Sequence, residues 1–187
     1  MRFLTRTSFE MTSKLIKMKT KHLFLLFCLF TFSLSLFAQD EFTLVKVGDT
    51  APDFSFATEN GQTKKLSELK GKVVWINFFA TWCGPCRQEL PHLQKEVYDK
   101  LKSNKNFELI ILGREHSWAE INKFKTDNKY NMPFYPDTGR KVFALYAKQN
   151  IPRNFVIGKD GKIAVSSSGF NEKEFKEIIE KVEKLLK

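Results

Sequence analysis

Residues 73–89 restrict what this chain can fold into more than any other stretch. They read Val-Val-Trp-Ile-Asn-Phe-Phe-Ala-Thr-Trp-Cys-Gly-Pro-Cys-Arg-Gln-Glu. The unbroken apolar half, rich in β-branched and aromatic side chains, is the pattern of a strand buried on both faces. Beyond Cys83-Gly84-Pro85-Cys86 the period changes, and Leu90, Leu93, Val97 and Leu101 recur at helical spacing. A central strand thus hands over to a helix where two thiols stand, with Cys83 at or near the helix N-terminus. Unpaired N–H groups and the positive end of the helix dipole favour a thiolate there. Cys83 can therefore act as a nucleophile near neutral pH.

Whether such a pair does chemistry depends on its compartment, and the N-terminus speaks to that. Residues 1–38 hold Arg2, Arg6, Lys14, Lys17, Lys19 and Lys21 against Glu10 alone, half of the formal charge of +10. An apolar run, 23–37, follows, and then Ala38. Basic, apolar and small segments in that order describe a secretory signal peptide over 1–38, with the mature chain from 39. The run is shorter than the roughly 18 to 20 residues of a spanning helix, so export to the periplasm is expected over retention as an inner-membrane anchor. Leu36, three residues before the cut, is larger than the ideal. Met18 would make a tidier start than Met1, and Cys28 reads as an apolar residue of the leader. The remaining positive charge is scattered among acids, and the Lys-rich stretch 172–187 reads as a solvated helix face. Nothing has the clustering of a nucleic-acid surface.

An exported mature chain keeps two of the three cysteines, Cys83 and Cys86. A loop with two residues between its cysteines restrains the unfolded chain little, so a purely structural staple is a poor explanation. Zinc would need four ligands, and His92 and His116 stand alone. A redox pair is the reading that fits, with no metal and no cofactor beyond the pair itself.

Along the chain, 42–47 reads as a short strand. Residues 53–57 and 63–66 form a hairpin about Asn60-Gly61, and 67–69 make one helical turn closed by Gly71. Residues 107–113 are a second buried strand. Ser117 and Glu120 open a helix with capping-box spacing. Residues 131–137 are extended, 139–147 a short helix, 151–157 and 163–166 a hairpin pair, and 170–186 a closing amphipathic helix. The order predicts one α/β domain, a mixed central β-sheet flanked by helices.

Trp82-Cys83-Gly84-Pro85-Cys86 resembles the active site of the thioredoxin superfamily. Three further features narrow the resemblance to exported TlpA/ResA-type thiol-disulfide oxidoreductases: Gly48-Asp49-Thr50-Ala51-Pro52-Asp53-Phe54, the N-terminal β-hairpin extension, and an inserted αβ segment over 115–147. A thioredoxin-like fold over 39–187 is what this implies. Disulfide exchange goes by thiolate attack, a mixed disulfide and release by a second thiol, so Cys83 attacks and Cys86 resolves. Trp82, Gly84 and Pro85 would flank the docking surface. The resemblance puts a cis-proline at Pro152, with Ile151 offering backbone hydrogen bonds to a substrate chain. Arg153 departs from the small hydroxyl residue often found there, and either raises the local potential or pairs with an acid. Glu89, three residues after Cys86, matches a Glu of ResA-type proteins and would raise the thiol pKa or move the resolving proton; a plain surface Glu is the competing reading. Asn77 stands where thioredoxin keeps an acid, which favours Glu89 in the proton role. The resemblance implies protein thiol and disulfide substrates, apocytochrome c among them, a membrane electron donor and a monomer.

Two other functions fit less well. A thiol peroxidase of the peroxiredoxin-related group shares the Asp53-Phe54 opening but needs Pro and Thr where this chain has Ile76 and Ala80. A redox-inert binding or chaperone module would be marked by loss of a cysteine. Haem attachment would require His at Arg87.

Overall fold

A computed structural model describes residues 41–187. The signal peptide read over 1–38, with Met18 and Cys28, lies outside the described residues. No helix among the described residues is long and apolar enough to cross a membrane.

The first strands, β1 (Ser55–Ala57) and β2 (Thr63–Lys65), pair antiparallel as a hairpin. Gly61 turns the hairpin at φ +80°, which an L side chain rarely adopts. A 3₁₀ turn follows over Leu66–Leu69, and Gly71 closes it at φ +91°. The strand expected over 42–47 is instead a single bridge between Thr43 and Ala147. Leu44 and Lys148 exchange backbone bonds with Tyr146 and Phe42. The chain then turns at Lys46–Asp49, closed by the Asp49 N–H on the Lys46 carbonyl at 3.0 Å, so the ladder goes no further.

Around β3 (Val73–Phe79) lie β4 (Phe107–Arg114), β5 (Phe134–Asp137), β6 (Arg153–Ile157) and β7 (Ile163–Ser168). The sheet order is β5-β4-β3-β6-β7. β3, β4 and β5 are parallel, whereas β6 and β7 run antiparallel to their neighbours. All seven residues of β3 are buried, as its apolar run requires. Alternation sends Val73, Trp75 and Phe79 into one core and Val74, Ile76 and Phe78 into the other. Aromatic edges fill both: Phe78 meets Phe143, Tyr146 and Phe155, while Phe79 meets Phe124 and Phe134. Each of these buried rings contributes roughly 1.5–3 kcal/mol by leaving water.

After β3 comes α1 (Gly84–His92), which passes into a π-helical stretch, Leu93–Tyr98, and ends in α2 (Asp99–Leu101). The periodicity predicts one uninterrupted helix. Pro91, inside α1, lacks the N–H the ladder needs and crowds the preceding turn, and the wide turns begin two residues later. α3 (Trp118–Asp127) begins with the expected capping box, Ser117 accepting from the Glu120 N–H while Glu120 accepts from the Ser117 N–H. α4 spans only Phe143–Tyr146, shorter than the helix expected over 139–147. The Asp137 carboxylate accepts from the N–H groups of Val142 and Phe143 at 3.1 and 2.8 Å, which fixes the start there. α5 (Glu172–Leu186) starts from Asn171, whose side chain accepts from Lys173 and Glu174, and it buries Phe175, Ile178 and Val182. The mixed sheet with helices on its faces is the expected architecture.

Candidate active site

β3 ends at Phe79, and the chain turns through Thr81 and Trp82 with the Cys83 N–H on the Ala80 carbonyl at 3.1 Å. Cys83 is then the N-cap of α1, its sulfur accepting from the Cys86 N–H at 3.2 Å. Pro85 sits in the first helical turn, where the N–H it lacks has no intrahelical partner in any case. Cys83 and Cys86 are joined by a disulfide. Cys83 is 5% exposed and Cys86 0%. An incoming group therefore meets the Cys83 sulfur first.

Three elements surround that sulfur. Trp82 stands out into solvent at 64% exposure, its ring 5.4 Å from the Arg114 guanidinium. Ile151 presents its carbonyl 3.6 Å from Cys83 Sγ, and the Ile151–Pro152 peptide is cis. Thr81, just before the pair, donates its N–H to Nε2 of the buried His116 at 2.8 Å. Nε2 must be unprotonated to accept, so the imidazole proton lies on Nδ1. A cleft of about 610 Å³ opens between these parts, lined by Trp82, Cys83, Gly84, Pro85, Arg114, Arg140 and the 148–151 segment.

Beneath the pair is a buried polar group that no local pattern displays. Glu89 is 1% exposed, so the surface reading of this residue is corrected. Trp75 Nε1–H, a donor only, takes the Asn154 side-chain oxygen at 2.8 Å, and this turns the Asn154 amide nitrogen onto Glu89 Oε1. Asn77 Nδ2 donates to Glu89 Oε2 at 2.8 Å and to Asn154 Oδ1 at 2.9 Å. Asn77 and Asn154 are register partners on adjacent strands, so both point to the face that carries α1. Burial raises the Glu89 carboxyl from 4.5 to about 7, against the opposing pull of the Asn154 and Asn77 amides and the charge of His92. A carboxyl in that range can take or give a proton at neutral pH, and it lies one turn from Cys86 on the same helix.

Arg153 is not part of the docking surface, and that expectation is corrected. It pairs in register with Phe78, which packs into the core on the far face of the sheet, and it is 0% exposed. Its Nε donates to the carbonyls of Gln149 and Asn150 at 2.7 and 3.2 Å, and Nη1 to Thr43 Oγ1 at 2.6 Å. Arg153 thereby holds in place the loop that lines the cleft. Asn154, His116, Arg114, Arg140 and Lys148 were not singled out from the sequence for this site. Asn154 had a signal, a polar residue in an otherwise apolar strand. Arg114 had another, a cation at the carboxyl end of a parallel strand, where α/β sites gather.

The peroxidase positions are also clear. Ile76 packs into the core on the opposite face from Cys83, and Ala80 offers no hydroxyl.

A family model described as the AhpC/TSA family matches residues 47–166. The thiol-disulfide oxidoreductase ResA of Bacillus thuringiensis is 34% identical over 145 residues, covering 78% of this chain and 82% of that protein. Among solved structures, a protein assigned as a disulfide isomerase from Bacteroides thetaiotaomicron superposes with a TM-score of 0.74 at 35% identity, covering 78% of this chain and 92% of that one. A protein assigned as the thiol:disulfide interchange protein DsbE from Chlorobium tepidum superposes at 0.68 with 28% identity, covering 76% and 99%.

Proposed function

This chain belongs to the AhpC/TSA family and is a thiol-disulfide oxidoreductase of the ResA type, and from that premise we propose that it reduces disulfides of exported polypeptides through Cys83 and Cys86. The Cys83 thiolate attacks one sulfur of the substrate disulfide; a Cys83–substrate bond forms and the other substrate sulfur leaves as a thiolate that takes a proton. Cys86, giving its proton to the Glu89 carboxylate, then attacks Cys83 Sγ. The Cys83–Cys86 disulfide forms, the second substrate thiol is released, and two electrons have passed to the substrate. No cofactor beyond the pair takes part. A membrane protein returns two electrons and two protons to the pair, and the chain works as a monomer in the periplasm after removal of 1–38. Apocytochrome c cysteines are substrates on this reading.

The observation that carries the proposal is the pairing of one reachable sulfur with a buried one above a carboxyl poised near neutrality. Reduction rather than oxidation is supported by the second sulfur. A wholly buried Cys86 beside an ionisable carboxyl has a disfavoured thiolate, whereas strong oxidants owe their high potential to a stabilised reduced form. The test is dithiothreitol-driven reduction of a peptide with one disulfide, followed by free-thiol titration. Acceleration well above dithiothreitol alone is expected, with no consumption of hydrogen peroxide. Peroxide turnover without peptide reduction would contradict the proposal.

A further inference from the structure

The cleft beside Cys83 carries charge of one sign. Arg114, Arg140 and Lys148 line it, and among the described residues no carboxylate does. Glu115 Oε2 lies 3.4 Å from Arg114 Nε, with its side chain about half exposed. Asp137 is directed inward to the start of α4.

Two of the three cations are held close together by packing. The Arg114 and Arg140 guanidinium groups lie 5.3 and 5.1 Å from the centre of the same Phe143 ring, and Arg114 also lies against Trp82. Aromatic faces hold a guanidinium in a fixed plane while leaving its edge available. Neither Nε finds a hydrogen-bond partner among the described residues. The Arg114 guanidinium is pulled below its ordinary range, by burial first and also by the like charge of Arg140, with Glu115 opposing. Arg140 further donates to the Lys148 carbonyl, tying the third cation to the second. Glu115, Arg140 and Asn150, at the rim, all have positive φ, so the backbone is bent out of its ordinary range to make this wall. Like charges gathered and partly desolvated at one wall are relieved by an anion brought between them.

We propose that this wall selects polypeptides whose disulfide is flanked by carboxylates, Arg114, Arg140 and Lys148 engaging Asp or Glu side chains within a few residues of the attacked cysteine. The proposal rests on the exchange reading above. In the mixed disulfide the substrate cysteine sits on Cys83, so its neighbours in sequence lie along the cleft wall.

Three peptides with one disulfide and the same length test it, their cysteines flanked by Glu, by Ser or by Lys. The Glu peptide is expected to be reduced at least ~10-fold faster than the Lys peptide at low salt. That ratio should collapse towards one in ~1 M salt, where screening acts within about 3 Å. Lys148→Glu, at an exposed position, should narrow the low-salt ratio several-fold. A ratio near one in the unaltered protein, or one that Lys148→Glu leaves untouched, overturns the proposal. The Ser peptide separates the two layers: if it is not reduced the exchange reading fails, and if it is reduced without preference for Glu only the selectivity fails.

Discussion

Cys86→Ser arrests the reaction halfway, leaving the protein covalently attached to its substrate through Cys83. Attack needs only the outer sulfur, which the structure leaves reachable at the mouth of the cleft, whereas release needs the inner one to reach Cys83 Sγ. With the resolving sulfur gone, the mixed disulfide has no intramolecular exit. Mass spectrometry of the variant mixed with a disulfide peptide should show one adduct, on Cys83, removed by excess dithiothreitol. Cys83→Ser should give no adduct, because Cys86 is wholly enclosed. Turnover in either variant should fall by ~10³-fold or more, as for residues that act as a unit. Adduct formation on Cys86 in the Cys83→Ser protein would reverse the assignment of attacker and resolver. Neither substitution needs to disturb the fold, since a link across three residues contributes little to restraining the unfolded chain.

Glu89→Gln should slow the resolving step by about 100-fold and remove its pH dependence near neutrality. In the unaltered protein the carboxyl is half ionised at about pH 7, so the rate of resolution climbs through that region as the base form appears. The variant has no such group, and its profile should be flat there. Stability supplies an independent reading of the same residue. The folded value, about 7, lies above the ordinary 4.5 of an unfolded chain. The neutral carboxyl's contribution is thus fully present below pH about 4.5 and is lost as pH rises to about 7, a decline of roughly 3 kcal/mol. Urea midpoints compared between pH 5 and pH 8 should fall less in Glu89→Gln than in the unaltered protein. A merely structural Glu89 would show the stability difference without the change in the pH profile of resolution.

How much of this was legible in the sequence follows from how local each interaction is. The strand–Cys–helix junction is encoded within a few residues, and its strand, its helix and both thiols stand where periodicity and dipole placed them. The cis bond at Pro152 was legible only through the resemblance, since the general preference of X–Pro bonds is trans. Glu89 was ambiguous because its environment comes from elsewhere. A charged residue on a charged helix is buried here only because β6 brings Asn154 alongside Asn77, and a pairing 65 residues away leaves no mark on local pattern. Arg153 shows the same limit more sharply. Adjacent strand residues point to opposite faces, so Asn154 turns towards α1 and Arg153 away from it. The shortened α4 has its cause in Asp137, six residues before its first residue and outside any helical period. At Pro91 the signal was present in the sequence itself, since a missing N–H inside a helix has to be accommodated by changed geometry. The basic wall combines residues from three separate segments around 114, 140 and 148, and only the tertiary fold collects them.

The measurement that bears most directly on the account is the reduction potential of the Cys83–Cys86 pair, equilibrated against thiol buffers and followed by the fluorescence of Trp82 beside it. A value near or below ~−250 mV, in the range of thioredoxin, is what a reductant supplied by a dedicated donor requires. A value near ~−120 mV, that of a strong oxidant, would contradict the account and make the protein a donor of disulfides.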